Sequence, residues 1–215
     1  MRVLIILLFL SYSFYAQNNK KEILFDVNND TISKDYFLKK VKRQDIGYSI
    51  FESDSILNLK LVKSNKIDEL FEHYKIGKVD KIDKIKLINE LENMSKIKIN
   101  SLDIIIINFF KDEKDRNLNQ KPSIDFYTSN NYFNNYFKKS KNIKQFFITE
   151  QNYIYNSKNT FSDSNKIIEN LFFDNGKKSY CDYIIIYPNG DYILKKGEYR
   201  REMIIKFIKN YQKNN

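Results

Sequence analysis

Two isoleucine-rich runs dominate the pattern of apolar and polar positions along this chain. Ile104–Phe110 reads IIIINFF, and residues 183–187 read YIIIY. An unbroken β-branched apolar run between polar segments predicts a strand buried on both faces. After the second run, Pro188-Asn189-Gly190 predicts a tight turn, with Gly190 supplying a positive φ. Residues 191–195 then return as an antiparallel strand, which Gly197 ends. Ile204, Phe207, Ile208 and Tyr211 recur at helical spacing, predicting a helix over residues 200–211.

The rest of the chain reads as alternating short elements. Ile23, Phe25 and Val27 alternate with polar residues and predict a strand, followed by a turn at Asn28-Asn29-Asp30. Ser33 caps a helix to about Lys42, with Tyr36, Phe37 and Val41 on one side. Residues 48–51 and the alternating Leu57, Leu59 and Leu61 predict two more strands. The spacing of Ile67, Leu70, Phe71 and Tyr74 predicts a helix ending near Gly77. Asp80 caps another, carrying Ile85, Ile88 and Leu91. Between the two isoleucine runs, residues 111–121 form a polar stretch. Ser129 opens a helix with Tyr132, Phe133, Tyr136 and Phe137, and residues 144–149 (KQFFIT) predict a strand. Residues 153–163 read as irregular. Ser164 then caps a helix with Ile167, Ile168, Leu171 and Phe172 inward, closed by Gly176.

The N-terminus changes the picture of where this chain works. Arg2 precedes the apolar run 3–10, and Ala16 precedes Gln17. One positive charge, a short apolar core and a small residue before a polar one predict a secretory signal peptide over residues 1–16. The apolar run is too short to span a bilayer, so no stable membrane anchor is expected after cleavage. The protein is expected to be exported, periplasmic or secreted.

Composition adds less. The formal net charge is +10, but the lysines are spread along the chain and interleaved with Asp and Glu. No basic stripe or nucleic-acid motif is present, and no nucleic-acid partner is expected. There are 16 Tyr and 17 Phe but no Trp; abundant Lys, Asn, Ile, Tyr and Phe together read as a compositional bias rather than as a stacking site. Five dispersed glycines exclude a phosphate-binding loop. His73, the single histidine, reads as a surface residue. Asp112, Glu113 and Asp115 are interrupted by Lys114 and flanked by Lys111 and Arg116, so a solvated loop is expected there rather than a calcium site. Neither a metal nor a cofactor is expected.

Cys181 is the single cysteine, so neither an internal disulfide nor a Cys-x-x-Cys motif can form. From Leu102 onward the expected order is strand, helix, strand, helix, strand, strand, helix. With Ile104–Phe110 and the closing YIIIYPNG of residues 183–190, this stretch resembles the thioredoxin-like family, in particular the exported bacterial thiol-disulfide oxidoreductases and redoxins. The resemblance implies an α/β fold with a thioredoxin-like mixed central sheet flanked by helices over residues 100–215, preceded by an N-terminal α/β extension over residues 17–99. The family places its Cys-x-x-Cys just beyond the first strand. Here residues 111–117 read KDEKDRN, without sulfur. Cys181 stands where the family has a cis-proline.

The resemblance therefore implies an exported, redox-inactive binding or scaffold module for an envelope protein or peptide. Lys111, Lys114, Arg116, Asn117, Tyr180 and Asp182 would line its groove. The alternative is a single-cysteine thiol redox enzyme with Cys181 as its catalytic nucleophile.

Overall fold

Both isoleucine runs form strands, and they lie side by side. The structure, a computed structural model, describes residues 20–42, 46–53, 55–63, 71–113, 122–129, 131–155, 157, 159–173 and 179–214. The expected signal peptide and Gly176 lie outside the described residues. The chain is α/β, with mixed sheet flanked by helices. It divides into two compact units between Lys75 and Ile76.

In the first unit, β1 (Lys21–Phe25), β2 (Ile46–Glu52), β3 (Ile56–Lys63) and β4 (Phe71–Lys78, whose last residues fall in the second unit) make a mixed sheet in the order β1-β3-β2-β4. β1 runs parallel to β3, β2 antiparallel to β3, and β4 parallel to β2. Helix α1 (Lys34–Val41) begins where the sequence predicts, its first turn capped by Ser33 Oγ accepting from the Tyr36 N–H. It buries Phe37 with Leu24, Ile46 and Leu61. Asp26 Oδ1 accepts from the Asn28 and Asp30 N–H groups, so this carboxylate holds a turn, with Asn29 at φ 78°.

The helix expected to end near Gly77 is absent over its described part, which is β4. Residues 64–70 lie outside the described residues. Tyr74 is buried and stacks on Phe51 at 5.0 Å, while His73 and Lys75 on either side are exposed. That is a period of two, and pairing with β2 selects it over the 3.6-residue reading of the same few residues.

The second unit is built on β5 (Ile104–Phe110) and β8 (Cys181–Ile186), every residue of which is buried. They pair antiparallel, with Ile106 opposite Ile185 and Phe110 opposite Cys181. β6 (Ile143–Thr149) lies parallel to β5 on its other side, β7 (Thr160–Ser162) parallel to β6, and β9 (Asp191–Lys195) antiparallel to β8. Their order is β9-β8-β5-β6-β7. The β8–β9 hairpin closes through Gly190, at φ 88°, whose N–H donates to the Tyr187 carbonyl at 2.9 Å.

One face of this sheet presents Ile105, Ile107, Phe109, Ile184 and Ile186. They pack against Leu87 and Leu91 of α2 (Lys81–Ser95) and against Ile168, Phe172 and Phe173. Helix α2 contributes Leu87 and Leu91 to this core, within the second unit. The opposite face meets α3 (Ser123–Thr128), α4 (Asn131–Lys138) and α5 (Arg201–Asn214). There Tyr127 packs on Phe110, Phe133 on Phe147, and Tyr211 on Tyr187.

Three local expectations change in the second unit. Ser129 does not open a helix; it closes α3, its N–H donating to the Asp125 carbonyl, and α4 begins at Asn131. Residues 160–162 form a strand rather than irregular chain. Asp163, not Ser164, holds the start of the segment containing the π-helical turn Glu169–Phe173. Its carboxylate accepts from the Ile168 and Glu169 N–H groups at 3.3 and 2.8 Å. Each of the two carboxylate oxygens takes one of these donors.

Candidate functional site

The end of β5 and the start of β8 meet where the site residues were expected. Lys114, Arg116 and Asn117 lie outside the described residues. Lys111, Tyr180, Cys181 and Asp182 are brought together: the Lys111 N–H donates to the Tyr180 carbonyl at 3.0 Å, and Phe109 and Phe110 pair with Asp182 and Cys181. They do not share a groove. Side chains alternate along a strand, so Cys181 and Asp182 point to opposite faces of the sheet.

Cys181 faces the aromatic side and is 1 % exposed. Its thiol points at the Tyr127 hydroxyl at 3.9 Å. That hydroxyl donates to the Tyr199 carbonyl at 3.0 Å and accepts from the Tyr199 N–H at 3.1 Å. The Tyr199 ring stacks on Tyr127 at 4.2 Å. Tyr199 OH in turn donates to Asn108 Oδ1 at 2.7 Å, and Asn108 Nδ2 donates to the Phe146 carbonyl at 3.1 Å. The loop between β9 and α5 thus lays Tyr199 into the core, where it braces Tyr127 over the thiol.

The electrostatics follow from that enclosure. Burial pushes the Cys181 thiol up to about 12, with Glu198, Asp182 and Glu113 adding to the rise and the Tyr127 hydroxyl opposing it. Burial also raises the Tyr127 and Tyr199 hydroxyls above the ordinary tyrosine value. A nucleophilic thiol needs the reverse: cationic neighbours and partial exposure that lower its pKa. The assignment of Cys181 as a catalytic nucleophile is not supported by this environment.

Asp182 and Lys111 lie towards the other face. Asp182 is 2 % exposed; one carboxylate oxygen accepts from the Ser179 hydroxyl and, at 2.8 Å, from the Gly197 N–H. Burial raises its pKa, while Ser179, Gly197 and Lys111 oppose the rise. Lys111 Nζ donates to the Phe173 carbonyl at 3.3 Å and pairs with Glu169 at 3.5 Å. Both side chains are committed to the fold rather than presented to a ligand. Tyr180 remains outward, 37 % exposed. Phe126 on α3 is 59 % exposed, with the Arg201 guanidinium 4.3 Å above its ring.

A pH dependence follows from Asp182. Its folded pKa lies above the unfolded value, so the stability it contributes is fully present below the unfolded pKa and is lost as pH rises through the folded one. Asp182→Asn keeps an acceptor for Gly197 and removes the charge. Relative to wild type, the variant should therefore gain stability between pH 4 and pH 7, read from urea unfolding at both. A difference independent of pH would contradict the buried-acid assignment.

Of the expected acidic loop, Asp112 and Glu113 are described and Asp115 lies outside the described residues. Glu113 Oε1 accepts from the Ser123 N–H at 2.8 Å, at the start of α3, and Glu150 Oε1 from the Asp112 N–H at 2.6 Å. Among the described residues, no group of three or more His, Cys, Asp or Glu side chains could hold a metal ion. His73 Nε2 lies 2.5 Å from Glu52 Oε2, on the exposed side of β4. Lys20 also pairs with Glu52, and the hydrogen bond from Lys20 first, then the contact with His73, hold its carboxyl below the ordinary value.

Sequence reasoning missed Asn108, Tyr127 and Tyr199. The available signal was Asn108 itself, one amide inside IIIINFF, since a polar residue in a strand buried on both faces needs a buried partner. No family model, curated protein or solved structure matches the chain.

Proposed function

We propose that the second unit is a thioredoxin-like domain without thiol chemistry, and that the protein is an exported binding or scaffold module for an envelope protein or peptide. The observation that carries this reading is the enclosure of Cys181, the chain's single thiol, beneath Tyr127 and Tyr199. The order from β5 to α5, with the expected hairpin and closing helix, supports the fold assignment. Export is supported by the apolar run and small residue within residues 1–16. Among the described residues no helix is long and apolar enough to cross a membrane.

The binding surface in this reading follows α3 and the start of β8, where Phe126 and Tyr180 face outward. Exposed aromatic rings supply contact area at low side-chain entropy, which suits a polypeptide partner. Neither the protein nor its Cys181→Ser variant should reduce insulin or turn over peroxide above background. Turnover by the wild type that disappears in the variant would replace this reading with the single-cysteine enzyme.

A further inference from the structure

Among the described residues, β6 is paired along only part of its outer edge. β7 pairs with it from Phe147 to Thr149, and its described pairing begins at Thr160. Ahead of Phe147 no strand pairs with that side of β6 among the described residues. The direction of the backbone groups there is fixed by the ladder. The Ile104 N–H donates to the Asn142 carbonyl on the β5 side, and the Asp163 N–H to the Thr149 carbonyl on the far side. Alternate residues face alternate neighbours, so Ile143 and Gln145 turn their N–H and C=O groups to the uncovered edge. An uncovered edge of this kind is a template for an added strand.

A cavity of about 280 Å³ lies at this edge, lined among others by Asn134, Phe137, Lys138, Ile143, Gln145 and Phe147. Two of its lining side chains carry buried polar atoms without a hydrogen-bond partner among the described residues: Asn134 Oδ1, an acceptor, and Gln145 Nε2, a donor. Buried polar groups are rarely left so. The main chain of a polypeptide carries both complements, an N–H for Asn134 and a C=O for Gln145. The aromatic floor of Phe137 and Phe147 suits an apolar side chain. The rim is basic: Lys138 is exposed and lines the cavity, and Lys139 and Lys141 are exposed beside it. Lys144 also lines it, shared with Asp103 at 3.7 Å.

We infer that the uncovered edge of β6 at residues 143–145 accepts an extended acidic peptide, which adds a strand ahead of β7. Its apolar side chain enters the cavity and its carboxylates meet the exposed Lys138. This rests on the reading of the protein as a binding module and adds the class of ligand and a second surface. Main-chain pairing gives such a site its affinity and the alternate side chains its selectivity.

The test uses a fluorescein-labelled heptapeptide of alternating Glu and Val, titrated with the mature protein by anisotropy. Two controls share its length: one with Lys for Glu, and one with N-methyl groups on alternate backbone nitrogens. The acidic peptide should bind and weaken with added salt. The N-methylated peptide should bind at least about tenfold more weakly, because it keeps charge and side chains but cannot complete the ladder. Lys138→Glu, an exposed substitution, should weaken the acidic peptide roughly fivefold. Gln145→Leu should weaken it with less salt dependence in the loss. Equal binding of the N-methylated and unmodified peptides, or no binding of the acidic one, would overturn the inference. So would a protein dimer that excludes the peptide, since a second copy would then occupy the edge. None of these outcomes depends on the turnover assay, which tests the binding-module reading separately.

Discussion

Phe109→Ala is expected to destabilise the protein by about 3–5 kcal/mol, as truncation of a fully buried phenylalanine does. Phe109 is 0 % exposed and lies in β5, the middle strand of the order β9-β8-β5-β6-β7, paired on both sides. Its ring stacks on Phe173 with centroids 4.6 Å apart. It shares a core with Leu87, Leu91 and Ile184, contributed by a helix and a strand distant in sequence. The cavity left by alanine would open where these elements meet. A loss of this size is a large share of the roughly 5–15 kcal/mol that holds a domain together. Urea unfolding should show a lower midpoint at an unchanged slope. A loss below about 1 kcal/mol would mean that the sheet and the Glu169–Phe173 turn are not packed as described.

Asn108→Ala is expected to cost about 2–3 kcal/mol, by a different route. It removes little volume but leaves the hydroxyl of Tyr199, buried in the core, without the acceptor it uses at 2.7 Å. Tyr199→Phe removes that hydroxyl and should cost about 1 kcal/mol. The double variant should be more stable than the sum of the two losses by about 1 kcal/mol, since the second change removes the orphan created by the first. Additive losses would show that the Asn108–Tyr199 contact carries no coupling energy.

How much of this was legible depended on whether the deciding contacts were local. β5, β8, the hairpin at Gly190 and α5 were readable because burial on both faces, a glycine at positive φ and a 3.6-residue stripe are local signals. Ser33 and Asp80 were readable as caps for the same reason: each acts on an N–H three residues on. Tyr74 was misread because a short apolar spacing satisfies both periods, and only pairing with β2 decides between them. The cap at Asp163 was missed because Ser164, the adjacent residue, fits the same rule.

The site was legible only as a place. The sequence brought the ends of β5 and β8 together correctly, but strand alternation sends Cys181 and Asp182 to opposite faces. Tyr199, which braces Tyr127 over the thiol, arrives from the loop between β9 and α5. The edge of β6 ahead of Phe147 has no sequence signature of its own, since it is defined by where the described pairing of β7 begins.

The central claim, that the chain's single thiol is shut in beneath Tyr127, is tested most directly by alkylation of Cys181 in the native protein. With iodoacetamide at pH 7.5, and the intact mass followed in time, the native protein should label on the order of a thousandfold more slowly than the urea-unfolded protein, given a thiol pushed up to about 12. Native labelling at the unfolded rate would put Cys181 at the surface and contradict the account.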